Sequence, residues 1–125
     1  MLLNKNNAGL EAEKLAATFL ANQGLKLVAQ NYHCRFGEID LIMTDAKTLV
    51  FVEVKLRTSS HFGGAAASIT PQKQQKIILT AQYYLQQANY KTEPACRFDA
   101  ILVSKADLKV DDLKHIEWIR NAFET

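Results

Sequence analysis

Apolar and polar residues alternate from Gly37 to Arg57, GEIDLIMTDAKTLVFVEVKLR, with the period of two that puts neighbours on opposite faces of a sheet. Ile39, Leu41 and Met43 make one apolar row, and Glu38, Asp40 and Ile42 share the other side. In the next strand Val50, Val52, Val54 and Leu56 form the apolar row while Glu53, Lys55 and Arg57 project oppositely. An even-length loop centred on Ala46 and Lys47 sets Asp40 opposite Glu53 in an antiparallel register, with Cβ atoms roughly 5 Å apart.

A helical period governs residues 7 to 23, where Glu11, Lys14, Thr18 and Asn22 gather into a polar wedge. Leu10, Ala12, Leu15, Ala16, Ala17, Phe19, Leu20 and Ala21 fill the remaining arc. Asn6 or Asn7 offers a cap and Gly24 a stop. Glu13 falls inside the apolar arc, where a carboxylate costs free energy unless it meets a cation, a metal or hydrogen-bond donors. Either the helix delivers Glu13 towards the sheet, or Glu13 sits in a structural ion pair or snorkels out at the edge of the arc.

Leu25 to Arg35 reads as a strand with Leu25, Leu27 and Ala29 on one side. Tyr32, His33 and Arg35 near its end face a ligand or cover a sheet edge. Thr58 to Thr70 is a long loop rich in Gly, Ala and Ser; it either closes over a substrate, bringing His61 and Phe62 to a base or phosphate, or is a plain connection. Thr70 and Pro71 start a second helix that runs to about Asn89 and buries Ile77, Ile78, Ala81, Tyr84, Leu85 and Ala88. Lys73 shares that stripe, so its ammonium points back to the polar end of the sheet or stays at the surface over a buried stem. Cys96 to Lys105 is almost continuously apolar, a strand covered on both faces in which Asp99 needs a partner such as Arg97 or a helix terminus. Lys114 to Phe123 alternates as a final strand with Ile116, Trp118 and Arg120 on one face.

Composition narrows the class. At 125 residues the chain reads as a single domain over 1–125, large enough to bury roughly two thirds of its unfolded surface without disulfides. The amino-terminal MLLNKNNAGL lacks the apolar core of a signal peptide and no apolar run approaches a membrane span, so a cytoplasmic protein is expected. Cys34 and Cys96 lack zinc-site spacing and read as free thiols. Net charge is only +2, but residues 26 to 105 hold ten Lys and Arg against six Asp and Glu, a mildly basic body compatible with a phosphate-backbone partner.

Charge also changes the reading of the paired strands. Two carboxylates about 4 Å apart at an effective dielectric near 20 repel by about 4 kcal/mol, against roughly 5 to 15 kcal/mol of domain stability. Lys55 can neutralise part of this, and a divalent ion with oxygen ligands is the more complete answer. The competing reading is a solvated hairpin face of alternating Glu and Lys.

Glu13 on the first helix, Asp40 on one strand, and Glu53 and Lys55 on the next together resemble the PD-(D/E)xK superfamily of restriction-endonuclease-like nucleases. The resemblance is closest to YraN-type bacterial proteins, predicted nucleases similar to archaeal Holliday-junction resolvases. It is carried by G-x-x-x-E at Gly9 to Glu13, GEIDLI at Gly37 to Ile42, FVEVKLR at Phe51 to Arg57, the Lys73 helix, and RFD at Arg97 to Asp99. Ala12 stands where relatives often have Gly, and no Pro precedes Asp40, although that Pro is dispensable across the superfamily.

The resemblance implies an α/β, restriction-endonuclease-like fold, with a mixed central sheet of about five strands flanked by helices. It implies metal-dependent hydrolysis of DNA phosphodiester bonds, branched or single-stranded DNA included. Asp40, Glu53 and the Val54 carbonyl would hold Mg²⁺ or Mn²⁺, and Glu13 would join directly or through water. Lys55 would orient the attacking water, while Arg57 and Lys73 would contact phosphates. His61 is added as a nucleic-acid contact from its place in the loop, and a homodimer follows if the substrate is a four-way junction. The rival expectations are a non-catalytic nucleic-acid-binding module of the same fold and an RNA-directed nuclease.

Overall fold

The computed structural model describes residues 7–57, 69–104, 108 and 116–125. The elements in chain order are α1 (Asn7–Asn22), β1 (Lys26–Cys34), β2 (Gly37–Asp45), β3 (Thr48–Arg57), α2 (Pro71–Ala88), β4 (Cys96–Ser104) and β5 (Glu117–Phe123). The strands form one mixed sheet in the order β1-β2-β3-β4-β5, antiparallel except where β3 and β4 run parallel. No helix among the described residues is long and apolar enough to cross a membrane.

Each helix packs on one face. α1 buries Ala12, Leu15, Ala16 and Leu20 against Leu41, Met43, Val50, Val52, Ile101 and Val103. α2 buries Ile77 and Ala81 against Ile42, Leu49, Phe51 and Phe98. On that side Phe51, Phe98 and Phe123 stack at 5.5 and 4.9 Å, contacts worth about 0.5–1.5 kcal/mol each beyond their area.

The element ends follow from local chemistry. Gly24, at φ +98, lets Leu25 N–H reach the Leu20 carbonyl at 3.1 Å and its own N–H the Ala21 carbonyl at 3.0 Å, the Schellman closure of α1. Thr70 caps α2, its Oγ1 accepting from Lys73 N–H at 3.1 Å. The β2–β3 link is the two-residue turn Ala46–Lys47 between paired Asp45 and Thr48, with Ala46 at φ +54.

Three sequence expectations shift. Leu27 is exposed while Leu25 packs beside α1 and Ala29 beside α2, because a bulge between Leu27 and Ala29 breaks the alternation of β1. Ile39 belongs with Ile42 on the α2 side rather than with Leu41 and Met43. Its β1 partner Tyr32 lies on the same side, one residue past Asn31, which is at φ +51; the left-handed residue turns both strands locally. Leu10 and Ala21, placed in the apolar arc of α1 by angle, and Ala88, placed on the buried stripe of α2, are exposed.

At the far end of the sheet Asp99 is fully buried. It accepts from Arg97 Nε at 3.1 Å, Trp118 Nε1 at 2.9 Å and Asn121 N–H at 3.0 Å. Arg97 also reaches Asp45 at 3.0 Å, and Arg120 joins Asp45 at 3.1 Å while lying over the Trp118 ring. Arg97 is the expected partner of Asp99. The network ties β4 to β5 and to the β2–β3 turn.

Candidate functional site

β2 and β3 are ladder partners from Asp45–Thr48 as far as Leu41–Val52. The next pair in that register is Asp40 and Glu53. Here the Asp40 side chain takes over from the backbone, its Oδ2 accepting the Val54 N–H at 2.8 Å, and a cleft of about 360 Å³ opens at the end of the sheet. Gly9, Ala12 and Glu13 of α1, Glu38 and Asp40 of β2, Glu53 to Leu56 of β3, and Lys73 of α2 line it.

Glu13, Asp40 and Glu53 all lie below one tenth exposed. Glu13 thus enters the cleft, the first of the alternatives open from its helical angle. Gly9 and Ala12 add little bulk beside it, the physical content of the G-x-x-x-E spacing.

Lys73 Nζ stands 3.3 Å from Glu53 Oε2. The direct neutralising cation is therefore Lys73, delivered by the first turn of α2, rather than Lys55, which lines the cleft from the same strand as Glu53. The Thr70 cap bonds the backbone N–H of Lys73 itself, so the residue that starts the helix also fixes the backbone position from which this side chain reaches Glu53.

One ammonium does not balance the pair. Burial pushes the Glu53 carboxyl up to about 7, the adjacent Asp40 adds to the rise by its charge and hydrogen bond, and Lys73 opposes it. Near neutrality the pair thus holds a proton or calls for a further cation.

No group of three or more His, Cys, Asp and Glu side chains that could hold a metal ion is present among the described residues. The fork offers instead two buried carboxylates in contact, with the Val54 backbone beside them and Glu13 across the cleft. All are hard oxygen donors, and beyond the effect of burial the Asp40 charge disfavours a second negative charge on Glu53, with Lys73 opposing it. That donor chemistry fits Mg²⁺ or Mn²⁺.

Arg57 falls elsewhere. Arg57 Nη2 pairs with Glu117 of β5 at 3.1 Å and is not among the cleft-lining residues. His61 and Phe62 lie outside the described residues, as do residues 58–68 of the loop expected from Thr58 to Thr70. Both cysteines are free, as their spacing implied. Two contributors were missed: Glu38, which lines the cleft, and the Val54 N–H that anchors Asp40. The signal for the second was the register itself, since a strand end beside an opposed acid leaves a backbone donor to satisfy.

The model of the family described as uncharacterised protein family UPF0102 matches residues 12–103, a span that includes Glu13, Asp40, Glu53, Lys55 and Lys73. A UPF0102 protein of Nitrosospira multiformis is 53% identical over 116 residues, covering 93% of this chain and 92% of the relative. One of Nitrosomonas europaea is 53% identical over 118 residues, with 94% of each chain covered. One of Psychromonas ingrahamii is 51% identical over 125 residues, covering 99% of this chain and 95% of the relative. On these matches the chain belongs to the UPF0102 family.

Proposed function

We propose that the chain is a metal-dependent nuclease that hydrolyses phosphodiester bonds in DNA, selective for DNA structure or ends, on a restriction-endonuclease-like fold. The observation that carries the reading is the burial of Asp40 and Glu53 against each other in a cleft that Glu13, Lys55 and Lys73 also line. Holding two like charges together out of water opposes folding, and such arrangements cluster where chemistry needs them. The resemblance to the PD-(D/E)xK superfamily points the same way.

Asp40, Glu53, the Val54 carbonyl and Glu13 would hold Mg²⁺ or Mn²⁺, which when bound polarises a phosphoryl oxygen and lowers the pKa of a bound water. The Val54 N–H keeps the Asp40 carboxylate aimed into the fork. Lys55, on the strand face of Glu53, orients the attacking water and offers its Nζ to the charge that grows on the phosphoryl oxygens. Lys73 gives the scissile strand a cationic contact that sets its position without reading its sequence. A four-way junction as substrate requires two such sites, hence a symmetric pair of chains.

A second reading is favoured by one contact. If Lys73 keeps Glu53 permanently neutralised, the cleft binds nucleic acid without cutting it. Labelled junction, flap, single-stranded and duplex DNA, together with RNA, incubated with Mn²⁺ or with chelator, separate the two. The nuclease reading expects metal-dependent cleavage of DNA that Asp40→Ala abolishes. Binding without cleavage under every condition refutes it in favour of the module, and cleavage of RNA alone refutes the DNA assignment.

A further inference from the structure

The cleft continues past Lys73. A second depression of about 360 Å³, lined by His33, Cys34, Gly37, Lys76 and Ile77, shares Glu38 and Lys73 with the first. It lies between the β1–β2 hairpin and the first turns of α2. Gly37 sets this closeness: at φ +152, a Cβ there would stand 3.2 Å from Thr80 Oγ1 and 3.4 Å from Lys76 Cβ. The missing side chain lets α2 settle on the hairpin and brings Lys76 into the same depression as His33.

The chemistry of this depression is opposite to that of the cleft. Lys73 and Lys76 are one helical turn apart, about 5–6 Å at Cβ, a spacing that neighbouring phosphates of one strand can meet. They sit in the first turns of an 18-residue helix, whose N-terminal dipole end favours anions. His33 has Nδ1 within 3.3 Å of the Asn31 carbonyl, leaving Nε2 for a partner. Glu38 is the one carboxylate among the described lining residues and marks the border with the cleft. Cys34, Ile77 and the lysine stems give the floor an apolar character suited to sugar and base edges.

We infer that this depression is the track of the DNA strand leaving the carboxylate cleft, with Lys73 and Lys76 on successive phosphates and His33 beyond them. The inference rests on the nuclease reading of the cleft and narrows it. The depression is small, about 360 Å³, with its two lysines on one side and an apolar floor on the other, a lining that suits one backbone with its base turned inward, so the track is assigned to a single strand. The substrate class is DNA with an unpaired segment, a flap or an overhang, in preference to uninterrupted duplex.

The test uses the full chain with Ca²⁺ in place of Mn²⁺, a fluorescent single-stranded DNA oligonucleotide, the blunt duplex and the single-stranded RNA of the same sequence, with anisotropy read across a salt series. The unaltered chain binds the single strand more tightly than the duplex. Lys76→Ala weakens single-strand binding about 3- to 10-fold and lowers the slope of log affinity against log salt by about 0.7, the loss of one phosphate contact. Lys76→Glu weakens it further, while Lys47→Ala, at the β2–β3 turn on the opposite end of the sheet, changes neither quantity. Melting curves of the Lys76 variants that match the unaltered chain show that the fold is intact. Single-strand affinity within about twofold of the unaltered chain and an unchanged salt slope in both Lys76 variants overturn the track; if Mn²⁺-dependent cutting persists, the nuclease reading survives that result. Tighter binding of the duplex overturns the unpaired-strand assignment, tighter binding of single-stranded RNA overturns DNA as the ligand, and no binding of either DNA probe overturns the track, the nuclease reading being decided separately by Mn²⁺-dependent cleavage of the branched substrates.

Discussion

Replacing Glu53 with Gln should make the metal-free protein more stable at alkaline pH and leave it unchanged in acid. Glu53 is nearly fully buried beside Asp40, and its carboxyl is raised from an ordinary value of 4.5 to about 7, first by burial and then by Asp40. Since the folded state holds this proton more tightly than the unfolded chain, the protein loses stability as pH rises from about 4.5 to about 7 and stays at the lower level above that. At 1.36 kcal/mol per pH unit the full penalty is about 3 kcal/mol. Gln keeps the shape, carries no charge and can donate to Asp40 as the protonated acid does. Losing the pairing with half-exposed Lys73 returns at most about 1 kcal/mol. The net gain at pH 8 is about 2–3 kcal/mol, or about 6–15 °C in melting temperature for a domain of this size. Urea unfolding of both proteins with chelator present, from pH 4 to pH 8.5, checks it. A Gln variant no more stable than the parent at pH 8, or a gain that does not fade towards pH 4.5, refutes the claim that this carboxylate is held at a cost.

The remaining predictions probe separate parts of the molecule. Lys73→Gln removes the cation that pairs with Glu53, so calorimetry should find Mn²⁺ bound about 3- to 5-fold more tightly, the equivalent of an exposed ion pair of up to about 1 kcal/mol; weaker binding contradicts the competition. Asp99→Ala leaves Arg97 without its buried partner and Trp118 and Asn121 without their acceptor, and should cost about 3–5 kcal/mol in urea unfolding without altering Mn²⁺ affinity. Gly37→Val meets both positive φ and Thr80 Oγ1 at 3.2 Å, and should lower stability by about 1–3 kcal/mol or more.

Much of the site was legible because it depends on short-range rules. The two-residue turn at Ala46 and Lys47 sets the register that runs to Leu41 and Val52 and so brings Asp40 opposite Glu53. The angle of Glu13 on α1 put a carboxylate inside the apolar arc and left its fate open, and the structure buries it. Thr70 and Pro71 announced where α2 begins, and with it the position of Lys73. What escaped depends on tertiary geometry. Asn31 does not declare a left-handed backbone in its sequence context, so the change of face at Ile39 was invisible. The choice between Lys55 and Lys73 as partner of Glu53 rests on how closely α2 lies over the strand ends. Likewise Trp118 and Asn121 meet Asp99 only because β5 pairs with β4 through a bulge. For Arg57, parity put the side chain on the charged face, yet its ion pair is with Glu117 of β5.

The central claim is that Asp40 and Glu53 form the seat of a divalent cation, and titration calorimetry with Mn²⁺ at pH 7.5 addresses it without a substrate. The account predicts one ion bound per chain, with binding lost in Asp40→Asn and in Glu53→Gln, both of which remain folded. Saturable Mn²⁺ binding that survives both substitutions, or none in the unaltered chain, would contradict it.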